Sequence, residues 1–402
     1  MTLPRPQGNS RDSLNFKDLS KLVRDVRFWK IAGQVIAVVL IVTVVFIITD
    51  NLLYNLQQLG IELGFEFLNA QASFDIGERL IAYSPSDSFG RAIVVGFMNS
   101  LRVMALGIVF ATLVGLVIGI ARLSNNWLVR NIAVVYVEVF RNTPLLLQLF
   151  FWYFAVFLKL PPVEQSITVG DLLFLNQRGV FVPWLIGNAT TGIWVLLLAL
   201  GVVGAAWVWR WRFHVMLQQG RPGRQLWWAV GAIAFALILA LIVTRREPFL
   251  LSFPQVNDGA IQGGLPLSPE FCALLVGLVF YTASFIAEIV RGGIQAVPKG
   301  QWEAASALGL KSGRVMQLVI LPQALRVIIP PLTSQYLNLA KNSSLAIAIG
   351  FPDVYQVAST TFNQTGRAVE VMLLIAVTYL TISLLISLVM NFINSKVQLK
   401  ER

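Results

Sequence analysis

The residues of this chain that could do chemistry sit inside its most apolar stretches. Arg102 lies ten residues into a run that begins at residue 92, about 15 Å deep at 1.5 Å per helical residue. A charge at that depth costs at least ~2.5–3.5 kcal/mol in hydrocarbon, so it must face a partner or a cavity. Backbone carbonyls or a carboxylate of the bundle would satisfy it, and so would the carboxylate of a polar solute; Asn99 stands one turn earlier. Further along, Gln335, Asn338 and Asn342 recur at i, i+3 and i+7 on one helical face, with Lys341 and Ser343 beside them. A polar stripe is penalised in lipid and is expected to face a neighbouring helix or a pore. Lys341 stands nineteen residues beyond Pro322, about 28 Å along a straight helix, and snorkelling to the membrane surface is the other reading of it.

Several chemistries are excluded. One histidine, His214, and one cysteine, Cys272, cannot form a His-Cys metal cluster, a disulfide within the chain or a hydrolase built on paired histidines. A phosphate-binding loop needs Gly-Lys-Ser/Thr contiguous, and Gly309-Leu310-Lys311-Ser312 misses because Leu310 intervenes. Glu138 with Arg141 and Glu288 with Arg291 are i, i+3 pairs that read as structural.

The elements that must position these residues are membrane helices. With 56% hydrophobic and 13% charged residues in 402, the composition is that of a polytopic membrane protein. The fold class is all-α, a helical bundle of about eight spans: 31–49, 92–120, 142–160, 185–208, 226–244, 271–290, 324–349 and 369–393. Residues 127–141 read as an amphipathic surface helix before the third. Thr49-Asp50-Asn51 after the first offers no small-residue cleavage site, so that span reads as a retained anchor. The net charge of +11 is sorted by side. Placing the N-terminus in the cytoplasm leaves twenty Lys and Arg inside against seven outside, so both termini are expected to be cytoplasmic. The cations never form one stripe, which argues against nucleic acid as a partner.

Between the sixth and seventh spans lies a basic segment, 291–323, that carries Glu303-Ala304-Ala305, then Gly309, then Leu321-Pro322. Ala, Leu and Glu favour helix, and Pro298, Gly309 and Pro322 punctuate it. The expected element is a short helix over 303–310, with small residues that let another protein's backbone approach. The spacing of Glu303-Ala304-Ala305, Gly309, Val319 and Leu321-Pro322 resembles the signature loop of importer-type ABC permeases, where Ile is usual at the place of Val319. Arg291-Gly, Ala296-Val-Pro-Lys-Gly300, Pro322-Gln-Ala-Leu-Arg326, Lys341-Asn-Ser-Ser-Leu345 and Arg141-Asn-Thr-Pro144 resemble the polar and general L-amino-acid permeases of that family.

The resemblance implies a type I ABC importer permease in the bacterial inner membrane, carrying amino acids inward without an ATPase of its own. It implies two ABC ATPase subunits that bind ATP and Mg, a second related permease forming a heterodimer, and a periplasmic amino-acid-binding protein. Glu303, Ala304, Ala305 and Gly309 would couple to the ATPases. Arg102 or Lys341 would hold the substrate carboxylate, and Gln335, Asn338, Asn342 and Ser343 its ammonium or side chain. The chain would divide into 1–88 with an extra first span, 89–160 as the first part of the permease core, 161–264 as an insertion with two extra spans, and 265–402 as the second part. The added pair is joined by a basic Trp-rich loop from Trp207 to Arg212 that reads as an interfacial belt. From the residues alone a secondary transporter coupled through Arg102, Glu138, Glu288 and Lys341 is the alternative. In a Cys272→Ser background, a cysteine replacing Gln218 is expected to label only from the cytoplasm and one replacing Asn257 only from outside. Impermeant maleimide added to intact cells checks this, and labelling at position 218 would overturn the orientation.

Overall fold

The distribution of proline and small residues decides where the chain bends and where its helices touch. The computed structural model describes residues 26–58, 63–170, 172–219, 225–245, 249–257 and 260–397. Both ends, with the cations up to Arg24 and Arg221, Arg224, Arg246, Lys400 and Arg402, lie outside the described residues. Residues 1–65 and 66–402 form two compact units. The first contains α1, Val26–Gln58, whose stretch Ala32–Asn55 is apolar and exposed along its length.

In the second unit, α2 (Phe89–Ala121) lies along α7 (Pro269–Gln295). Ser88 and Ser268 cap the two helices, each accepting from the backbone N–H three residues on, and Pro269 opens α7 where no N–H is needed. A Cβ on Gly115 would lie 2.6 Å from the Cβ of Ile286, so glycine is what allows this close contact. Around the pair pack α10 (Leu321–Asn342), α11 (Val354–Thr365) and α12 (Ala368–Val397). One core cluster joins Ile286, Val290, Ile320, Ala324 and Leu339, and a second joins Val103, Leu149, Phe271, Leu274 and Phe351.

Seven helices among the described residues are long and apolar enough to cross a membrane, and a bent pair makes an eighth if counted as one span. The bent pair replaces the expected span at 142–160. It comprises α3 (Trp127–Asn142) and Leu145–Lys159, which begins with α4 (Leu145–Phe150), meeting at 105°. Proline forces the break: Thr143 precedes Pro144 and is extended, with φ −96° and ψ 127°. Gln148 then donates its amide to the carbonyls of Phe140 (2.8 Å) and Thr143 (3.0 Å), which the break would otherwise leave without partners. Glu138 does not pair with Arg141 as expected. It accepts from Asn142 at 2.9 Å, while Arg141 lies 5.2 Å from the Phe285 ring centroid.

The inserted region departs from expectation in three ways. Strands fold outside the helices: β1 (Ile167–Val169), β2 (Leu173–Asn176), β3 (Gly179–Val182), β4 (Trp184–Gly187), β5 (Phe249–Ser252), β6 (Gln255–Asn257), β7 (Ala260–Gln262) and β8 (Leu265–Leu267). They form a sheet of order β1-β2-β3-β8 and the hairpins β4-β5 and β6-β7. Second, the span placed at 185–208 starts in β4, and its helix α5 runs Thr191–Gln219. Asn188 sets the boundary, its side chain accepting from Thr190 N–H at 2.9 Å in a local turn. Third, Trp207 to Arg212 lie within α5, not in a loop.

Helix α5 pairs with α6 (Gln225–Thr244) through small residues: a Cβ on Gly201 would come 2.5 Å from the Cβ of Ala236, and Ala205 and Ala240 are buried. Gly201→Leu is expected to destabilise the hairpin by about 1–3 kcal/mol. Gly204→Leu, which has no atom within 4 Å of the added Cβ, is expected to change little. Thermal unfolding of the two variants in detergent distinguishes them.

Candidate substrate path and coupling site

Every candidate polar residue on α10 is placed by helical periodicity. Tyr336, Leu339 and Ala340 are buried, Tyr336 sharing a 2.7 Å hydrogen bond with Thr112 and Leu339 packing on Gly107, so this face turns toward α2. Ser334, Asn338 and Lys341 fall on the opposite face and are exposed, with Gln335 and Asn342 half-buried at its margins. Ser343 is buried and donates to the Ala340 carbonyl as the helix tightens into the turn Ser343–Ile349. Pro330 and Pro331 interrupt the hydrogen-bond ladder below the stripe.

Arg102 is held elsewhere, with its side chain and that of Glu78 each 10% exposed and 2.6 Å apart. Its guanidinium carbon lies 4.0 Å from the Phe271 ring centroid, and Nη2 is buried with no hydrogen-bond partner. Glu78 also accepts from the Ser268 hydroxyl and, at 3.3 Å, from the Ser268 N–H. Asn99, fully buried, donates to the carbonyls of Glu78 (2.7 Å) and Pro352 (2.9 Å). This cluster ties the loop before α2 to the start of α7 and to the turn before α11. The structure therefore brings Arg102 together with Asn99, Glu78 and Ser268, and leaves it on a different face from Asn338 and Lys341. Glu78 carried no signal in the sequence, because a loop residue gives no periodicity from which a partner 24 positions away can be read.

Beside the cluster is a cavity of about 490 Å³ lined by Asp75, Glu78, Glu270, Gln356 and Thr360. Glu270 accepts from the Tyr153 hydroxyl at 2.7 Å. A second cavity, about 840 Å³, is lined by apolar side chains including Leu116, Ile120, Val290, Leu325 and Ile328, between α2, α7 and α10. At the far end of the same helix pair Glu288 accepts from both Arg122 and Arg291, bridging α2 to α7.

The segment with the signature spacing folds as α8, Lys299–Ala307, displaced by a few residues from the expected 303–310. Trp302 and Ala305 face the core, whereas Glu303, Ala304 and Leu308 are exposed, Leu308 at 81%. Gly309 has φ +75°, and its N–H and that of Leu310 donate to the carbonyls of Ser306 (2.9 Å) and Ala305 (3.4 Å). That is a left-handed helix stop which glycine adopts without strain. The span following begins earlier than 324, with α9 (Ser312–Val315) and a widened turn at Met316–Ile320 that leads into α10, so the loop between spans is shorter than 291–323. Gln323 donates to Val319 O (2.9 Å) and to Gln301 Oε1 (3.2 Å), tying α10 back to α8.

A many-helix bundle with a polar face on one span and a small exposed helix between two spans has the construction of a membrane transport component. A family model described as "Binding-protein-dependent transport system inner membrane component" matches residues 221–399. The chain is 44% identical over 381 residues to the General L-amino acid transport system permease protein AapQ of Rhizobium johnstonii, covering 94% of each. It is 41% identical over 416 residues to the Glutamate/glutamine/aspartate/asparagine transport system permease protein BztB of Rhodobacter capsulatus, covering 96% of this chain and 97% of that one. The crystal structure of an amino acid ABC transporter with histidines aligns with a TM-score of 0.45 at 22% identity, over 77% of this chain and 95% of that one. The chain belongs to the amino-acid ABC importer permease family, as a multi-pass integral membrane subunit. It is a transport component, not an enzyme, and ATP hydrolysis belongs to separate subunits. The ion-coupled alternative gives way to this family, and Arg102 and Glu288 are each engaged in an ion pair within the chain.

Asp353 is the buried carboxylate that sequence reasoning missed. It caps α11, accepting from Gln356 N–H at 2.8 Å and from the Tyr379 hydroxyl at 3.3 Å, and burial pushes its pKa up to about 7 from 3.8. A raised acid pKa means that the fold favours the protonated form. The unfolded chain ionises as pH rises past 3.8 and the folded chain only near 7, so stability falls across that window and levels above it. Asp353→Asn keeps the cap acceptor and is expected to remove this dependence. Melting in detergent at pH 5 and pH 8 checks it: the wild type should lose a few degrees more than the variant.

Proposed function

We propose that the chain is the inner-membrane permease of an importer for a broad range of polar L-amino acids. The observation that carries this is identity above 40% along nearly the whole chain to permeases of general and acidic amino-acid systems. Two ATPase subunits binding ATP and Mg power the cycle, a periplasmic binding protein delivers substrate, and a second related permease completes a heterodimer. Both termini lie in the cytoplasm, with the permease core in 89–160 and 265–402 and additions at 1–88 and 161–264.

The uncovered α10 face supplies the path: Gln335, Asn338 and Asn342 offer amides, and Lys341 a cation for the carboxylate, where the two permeases meet. Ser343 sits at the outer end of that path. Arg102 serves it through Nη2, a guanidinium nitrogen that the structure leaves buried without a hydrogen-bond partner. On the other side α8 is the coupling element. Glu303 and Ala304 face outward to an ATPase groove, Ala305 anchors the helix to the core, and Gly309 fixes its end. Closure of the ATPases would move α8 and, through the Gln301–Gln323 bond and the buried side chains Val315 and Ile320, the base of α10.

Reconstitution of the complex with binding protein and labelled amino acids in liposomes tests this. Ala304→Trp, on an exposed position of α8, is expected to insert and assemble but to lose at least 90% of ATP-driven uptake, an order-of-magnitude effect on coupling. Arg102→Met is expected to lower uptake and the substrate-dependent part of ATP hydrolysis while basal hydrolysis persists. Full uptake by Ala304→Trp would remove the coupling role, and full uptake by Arg102→Met with unchanged apparent affinity would make Arg102 purely structural.

A further inference from the structure

The α5–α6 hairpin stands outside both the substrate path and the coupling element. Among the described residues, its two helices make their one extensive helix contact with each other. Between Asp171 and Glu247 the sequence contains no acidic residue. At the end remote from β4 and β5, α5 carries Arg210, Arg212 and His214. Five of the chain's 11 tryptophans sit at the same end: Trp207, Trp209, Trp211, Trp227 and Trp228.

The geometry goes beyond a basic end with aromatic neighbours. Trp207 and Trp211 stack with ring centroids 6.3 Å apart and planes within 10°. The Arg212 guanidinium lies 5.9 Å from Trp211 of its own helix and 5.1 Å from Trp228 of the other. Contact with a ring face fixes the direction of a guanidinium and weakens its competition with water. Trp227 is 74% exposed and Trp207 67% exposed, so the indoles are available at the surface around it.

We propose that this end of the hairpin is a binding site for the phosphodiester headgroup of an anionic phospholipid. The Arg212 guanidinium would donate a forked pair of hydrogen bonds to the phosphate oxygens, with Arg210 adding positive charge at the same level of α5, and the indoles would lie at the glycerol level. The acyl chains would run along the exposed apolar faces of α5 and α6, which carry Val202, Val203, Phe235 and Ile242. A run of cations in a stretch of sequence that has no acidic residue selects an anion. The unbroken apolar surface above it selects one with hydrocarbon chains over a soluble phosphate or an acidic protein.

The test uses the full chain assembled with its partner subunits, exchanged into bilayer nanodiscs containing phosphatidylcholine with phosphatidylglycerol, and native mass spectrometry to count retained lipids. Wild type should keep phosphatidylglycerol in preference to phosphatidylcholine. The pair Arg210→Gln and Arg212→Gln should lose roughly fivefold of that preference per arginine, while Arg210→Lys with Arg212→Lys should keep most of it. If the Gln pair fails to insert, Trp228→Leu retains every charge and should still weaken retention by releasing Arg212. Equal retention of both headgroups overturns the proposal, and so does an unchanged preference in the Gln pair or in Trp228→Leu. Displacement of the lipid by millimolar inorganic phosphate, or a protein found bound at this end in its place, overturns it equally.

Discussion

The packing of α2 against α7 is the contact on which the other elements depend, and it is fixed at both ends by charge. At one end Glu78 joins Arg102 of α2 to the capping Ser268 of α7; at the other, Glu288 of α7 joins Arg122 of α2. Small residues let the backbones approach between the two clamps, as Gly115 does at Ile286. A helix pair held this way resists sliding, because any shift breaks a shielded ion pair, and removing one partner of such a pair typically costs about 3–5 kcal/mol. The pair is therefore a fixed wall. The remaining helices of the core, α10 to α12, pack around it.

That division places the polar chemistry. Lipid offers no hydrogen bonds, so polar side chains on a span must be covered by protein or water. Arg102 is covered within the chain, whereas Asn338 and Lys341 are not. An uncovered polar face on a membrane helix calls for a second protein surface or an aqueous path, and the proposed pairing of permeases supplies both along one seam. Substrate would then cross at an interface that two subunits can open and close, and no channel through the middle of one chain is needed.

The helices were legible because hydrocarbon thickness imposes a long apolar run that needs no partner to be recognised. The signature loop was legible for a local reason too: glycine at 309 is required by a φ of +75°, and the alanine pair by one side that packs and one that stays open. Glu78 and Asp353 were invisible because their roles exist only once distant segments meet. The bend at Thr143-Pro144 was written in the sequence as a residue before proline, but the apolar residues that continue beyond it give the run the length of a single span. The strands were lost for a similar reason. Leu173–Asn176 and Gly179–Val182 alternate buried and half-buried positions around the turn Gln177-Arg178, a hairpin signal too short to compete with neighbouring apolar runs.

Two widened helical turns, Phe151–Val156 and Met316–Ile320, mark where motion could enter without breaking the wall. Such turns lengthen the hydrogen-bond ladder by one residue and are local points of give in an otherwise stiff rod. The one at 316–320 lies between α8 and α10, with Ile320 fully buried against the core and Leu318 exposed. A push on α8 would meet a rigid anchor at Ala305 and Ile320 and a compliant turn between them. It would emerge in α10 below Pro330 and Pro331, where the ladder is already interrupted. The polar stripe begins just beyond those prolines at Ser334, so the segment that carries it can tilt while α2 and α7 stay clamped. On this reading the chain separates the surface that receives force from the surface that contacts substrate by one buried anchor and two adjacent prolines.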